Sequence, residues 1–119
     1  TEFLKKYEVN EFIYTYISDQ KMAEIYLNDY IYTMFSDPNK AYDLLDQEYR
    51  NKRFGSFDEF KLYVNSLNYS TYKLDRYYKT TSEGYTVFGV YDKNGNHFIF
   101  KTKGVMQYSV YLDDYTIEF

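Results

Sequence analysis

The period of apolar and polar positions changes near residue 68, and this divides the chain into a helical half and an extended half. Ahead of both, Phe12, Tyr14 and Tyr16 alternate with Ile13, Thr15 and Ile17. The aromatic and β-branched character of residues 1–17 predicts an extended arm or edge strand, as at the end of a linker. Ser18-Asp19 can then cap a helix running to about Phe35. Its polar positions Lys21, Glu24 and Asn28 leave a broad apolar stripe from Met22 to Met34, so this helix is expected to be buried on more than one side. Asp37 can cap a second helix, with Pro38 at a first position that needs no amide donor. That helix is predicted to carry Ala41, Leu44, Leu45 and Tyr49 inward and to stop at Gly55. The capping box Ser56-Phe57-Asp58-Glu59 opens a third helix with Phe57, Phe60, Val64 and Leu67 on one face.

Beyond Asn68 the period is two. Tyr72, Leu74 and Tyr78 suggest one strand, and residues 85–91 and 98–103 two more around Asp92-Lys93-Asn94-Gly95-Asn96. Asn-Gly favours a type I′ turn because both central residues need positive φ. Centring the turn on Asn94-Gly95 pairs Tyr91 with Phe98 and Gly89 with Phe100. Tyr85, Val87, Tyr91, Phe98 and Phe100 then share the core face, and a ring is expected over Gly89. The same register sends Phe88, Val90 and Ile99 to the opposite, exposed face. A fourth strand alternates at Met106, Tyr108, Val110 and Leu112. Its phase slips at Asp113-Asp114 before Tyr115, Ile117 and Phe119, which predicts a bulge, bend or turn there.

The pattern thus predicts one α+β domain over residues 18–119, with three N-terminal helices on a curved antiparallel sheet of about four strands. Composition adds that the core is aromatic: 18 Tyr, 10 Phe and no Trp in 119 residues. An AT-rich genome would raise Tyr together with Asn, Lys and Ile, whereas a binding surface would use Tyr for its apolar ring and polar tip. Net charge is -4, and the densest basic stretch is only Arg50, Lys52 and Arg53, so nucleic acid is not expected as a partner. With no cysteine, disulfides, thiol nucleophiles and Cys-ligated zinc are excluded. That absence fits a reducing cytoplasm and a Gram-positive surface protein equally. No apolar run approaches the roughly 20 residues that span a bilayer. The chain starts at Thr1 rather than Met, which leads us to expect a processed or excised part of something longer, with a signal peptide or anchor in the missing portion.

The run Ala41-Tyr42-Asp43-Leu44-Leu45-Asp46-Gln47-Glu48-Tyr49, then Phe54-Gly55-Ser56-Phe57-Asp58-Glu59-Phe60, then a four-strand tail resembles the NTF2-like (cystatin-like α+β cone) superfamily. Within it the resemblance is to extracytoplasmic domains of Gram-positive bacteria: lipoprotein-type domains, the NTF2-like domain at the start of some penicillin-binding proteins, and related domains of conjugation machinery. It covers roughly residues 18–118 and rests on a pattern of Leu-Leu, acidic and aromatic positions. The resemblance implies a curved sheet wrapped on helices around a cone, which in this superfamily binds ligands, does catalysis, or is filled.

Candidate chemistry is sparse. His97 is the only histidine, and the predicted register sets it opposite Asp92, where a His–Asp pair could do acid–base work, although solvent is expected beside a turn. Asp92, Asn94 and Asn96 begin like a calcium loop, but His97 and Lys103 stand where Gly and Glu are required, so that motif is rejected. In a catalytic cone Asp75, Asp113 or Asp114 would act with a tyrosine donor. No catalytic motif, cofactor or metal set is predicted. The first reading is therefore a non-enzymatic extracytoplasmic module of a low-GC Gram-positive bacterium, binding a protein or cell-envelope component through Phe88, Val90 and Ile99. Such a face would also permit homodimerisation. The alternative is a small-molecule-binding or isomerase/dehydratase-like enzyme using the cone cavity; a cytoplasmic or phage-encoded accessory protein is a third reading.

Overall fold

The computed structural model describes residues 18–67, 73–102 and 107–112. Helices α1 (Asp19–Ser36), α2 (Pro38–Leu44), α3 (Gln47–Arg53) and α4 (Phe57–Ser66) precede strands β1 (Leu74–Ser82), β2 (Tyr85–Asp92), β3 (His97–Thr102) and β4 (Tyr108–Tyr111). The strands form an antiparallel sheet in the order β1-β2-β3-β4, neither closed nor strongly curled. The expected α+β arrangement of helices on a four-stranded antiparallel sheet is therefore present. The arm at residues 1–17 and the phase slip at Asp113-Asp114 lie outside the described residues.

The caps read from the sequence are in place. Ser18 Oγ accepts from Lys21 N at 3.1 Å and Asp37 Oδ1 from Lys40 N at 3.2 Å. Ser56 Oγ accepts from Glu59 N, and the Glu59 carboxylate reaches back to the amide of Gly55. The expected second helix is instead two. Leu45 is extended (φ -63°, ψ 141°) and Asp46 caps a new helix by accepting from Tyr49 N at 3.0 Å. The break has a tertiary cause. Leu45 bridges in parallel to Val110, and Asp46 N donates to Val110 O at 3.1 Å, so the linker attaches to β4.

The α1 face of the sheet carries a packed aromatic cluster, and Val87, Ile99 and Tyr111 are buried on the other face. Tyr26 packs on Phe88, Phe100 and Tyr108 with ring centroids 5.5–5.7 Å apart, and Tyr30 packs on Phe98, Phe100 and Tyr108 at 6.0–6.4 Å. The Tyr30 hydroxyl donates to Ala41 O at 3.0 Å and that of Tyr108 to Asp29 Oδ2 at 2.7 Å, so both phenols keep a partner away from water. Burying each ring stabilises by about 1.5–3 kcal/mol. By contrast, the partly exposed Lys79–Asp19 ion pair across this interface contributes about 0–1 kcal/mol. Aromatic burial therefore seats α1 on the sheet. A second aromatic group, Tyr42, Phe54, Phe57 and Phe60, joins α2 to α4.

Candidate functional site

Two turns decide which side chains face outward. Glu83 (φ 52°) and Gly84 (φ 82°) form a two-residue loop with Ser82 opposite Tyr85, meeting the type I′ requirement for two positive φ values. The Asn94-Gly95 turn differs: between β2 and β3 only Gly95 has positive φ, at 84°. Gly95 N donates to Asp92 O, and Asp92 N donates to Asn96 O. This is a three-residue loop, Lys93-Asn94-Gly95, built as a type I turn closed by a left-handed glycine. Asp92 selects it. Its Oδ1 accepts from Asn94 N and Asn96 N, and its Oδ2 from Asn96 Nδ2, all at 2.9 Å.

The extra loop residue moves the register by one and reverses the faces assigned from the sequence. Tyr91 pairs with His97, Val90 with Phe98, Gly89 with Ile99 and Phe88 with Phe100. Phe88, Val90 and Ile99, expected on an exposed face, are all buried. Phe88 and Val90 share the α1 face with Phe98 and Phe100. Ile99 does lie on the opposite face, yet it too is buried. The His97–Asp92 pair does not form, because the Asp92 carboxylate is occupied by the turn and His97 stands opposite Tyr91. Of the three acids proposed for a catalytic cone, Asp113 and Asp114 lie outside the described residues. Asp75 is exposed at a bulge between Leu74 and Arg76.

The register brings together a group on the outer face that the sequence reading did not assemble. Arg76, Tyr91 and His97 are cross-strand partners in one row over three strands. The Tyr91 ring is the middle layer, with the Arg76 guanidinium 4.1 Å from its centroid. The His97 ring lies parallel on it, 4.2 Å away and only 5° out of plane. Tyr78, in the next row, covers Gly89 and brings its hydroxyl 3.4 Å from His97 Nε2. That contact is long for a hydrogen bond, so stacking positions the imidazole and the hydroxyl is secondary. Burial, and then the neighbouring Tyr91, raise the Tyr78 pKa, which keeps its phenol neutral. The ring expected over Gly89 is thus supplied by Tyr78 of β1. The Glu83-Gly84 turn carried the signal that was missed: counting outward from it sets Tyr78 opposite Gly89 and Arg76 opposite Tyr91.

Chemically, the group offers a cation, stacked rings and a phenol. Among the described residues no cluster of three or more His, Cys, Asp or Glu could hold a metal. No helix there is long and apolar enough to cross a membrane. Comparison with protein families, curated proteins and solved structures finds no match.

Proposed function

We propose that the chain is a non-enzymatic binding or assembly module of NTF2-like arrangement, acting outside the cytoplasm on a protein or cell-envelope partner. The contact would be the outer sheet face around Tyr78. The observation that carries this reading is the division of the sheet. Its α1 face is occupied by packed Tyr and Phe rings, whereas its outer face, buried at Val87, Ile99 and Tyr111, still presents at one end the stack of Arg76, Tyr91 and His97 beside Tyr78, which is 43% exposed. Tyr and Arg held in fixed geometry are the side chains that most often anchor protein contacts. Rings between α1 and the sheet leave less room for the small-molecule alternative, which needs a pocket of roughly 300–1,000 Å³.

A photo-crosslinking amino acid tests this in the cells that make the protein. Placed at Tyr78 it should yield a discrete protein or envelope adduct, and at the exposed Leu62 of α4 it should not. Equal labelling at both positions, or none at Tyr78, would refute the assignment of the face.

A further inference from the structure

We infer that the row Arg76–Tyr91–His97 is a docking point for an acidic polypeptide segment, whose carboxylate is taken by the Arg76 guanidinium. This rests on the proposed use of the outer face and adds the chemistry of the partner. The chain has net charge -4, yet none of the outer-face residues paired in register from Arg76 to Tyr111 is Asp or Glu. Arg76 and Lys101 are the cations among them. Lys101 Nζ lies 4.2 Å from the Tyr85 ring centroid, so both cations rest on aromatic rings. The nearest acid in sequence, Asp75, makes no ion pair with Arg76. The Arg76 guanidinium carbon sits 4.1 Å from the Tyr91 ring centroid, and a guanidinium held by its cation–π contact can still offer N–H groups to a bidentate carboxylate.

The same features disfavour other anions. A phosphate site usually cups its ligand in converging backbone amides, and the amides of this sheet face run within the sheet rather than out of it. An anionic membrane is held by clusters of about four to eight cations, and the described residues paired on this face supply two. Val87, Ile99 and Tyr111 are buried further along this face. The accessible part is therefore the end with exposed Arg76 and Tyr78 and half-buried Tyr91 and His97, which matches an acidic peptide crossing β1–β3 there.

Calorimetric titration of the full chain with a synthetic Glu-rich dodecapeptide tests the inference, with amide NMR shifts mapping the contact. Binding should weaken with salt and map to β1–β3. It should fall about tenfold in Arg76→Ala, the loss expected for one charged hydrogen-bonded contact. Arg76→Lys should recover only part of it, because the bidentate guanidinium fork is gone, and Asp75→Asn should strengthen binding. Unchanged binding in Arg76→Ala, shifts centred on Arg50–Arg53, no binding at all, or preference for anionic vesicles over the peptide would each overturn the inference. Far-ultraviolet circular dichroism of Arg76→Ala verifies that the variant is folded. If Tyr78 crosslinks to a partner while the acidic peptide fails to bind, the outer-face reading stands and its assigned chemistry falls.

Discussion

At the residue scale, Gly89 and Tyr78 form one unit. A Cβ built on Gly89 would collide with the Tyr78 ring, far closer than real Cβ contacts come. Gly89→Ala should therefore expel the ring, costing about 1–3 kcal/mol as for other overpacked sites. In a Tyr78→Ala background the same change should be neutral or slightly stabilising. A double-mutant cycle from urea unfolding measures this coupling. Tyr30 makes a different prediction. Burial, with smaller contributions from Tyr63 and Tyr49, raises its pKa well above the ordinary value. An unfolded tyrosine ionises near pH 10. Above about that pH the unfolded chain releases protons that the native state keeps. The stabilisation is therefore complete below about pH 10 and is lost as pH rises beyond it. Tyr30→Phe should lower neutral-pH stability by about 0.5–1.5 kcal/mol through its lost bond to Ala41 O, and should flatten the alkaline decline. Unfolding followed by circular dichroism from pH 7 to 11 checks both.

At the element scale, the two hairpin loops explain what the sequence revealed and what it concealed. The first and last helices were legible because Ser18, Ser56 and Glu59 act locally, within one turn of chain. The interruption at Leu45 was not, because its cause is Val110, far away in sequence. The Asn94-Gly95 pair announced a turn correctly, but two loop geometries accept it. The choice between them rests on the Asp92 carboxylate, which holds Asn94 and Asn96. Asp92→Ala should cost about 1–3 kcal/mol by leaving those amides without their acceptor. Asp92→Asn keeps one acceptor oxygen and should cost less than half as much. Chemical denaturation midpoints separate the two outcomes, and similar losses would show that the carboxylate charge matters more than the turn geometry.

At the scale of the whole molecule, the helix-on-sheet layering was readable from the change of period at residue 68 and from the aromatic supply. The face each strand presents was not, because period-two patterns look alike on both faces when Val, Ile, Phe and Tyr occupy each. Val87 and Ile99 are buried on one side just as Phe88 and Phe100 are on the other. One register error therefore moved the candidate site from Phe88, Val90 and Ile99 to Arg76, Tyr78, Tyr91 and His97. The core, the outward row and its proposed role all depend on that register. His97 is the sole histidine of the chain, so its ring protons are an unambiguous reporter. A NOESY spectrum should show His97 ring protons close to those of Tyr91, together with cross-strand contacts between Phe88 and Phe100. Cross-strand contacts of Tyr91 with Phe98 and of His97 with Asp92 would contradict the account.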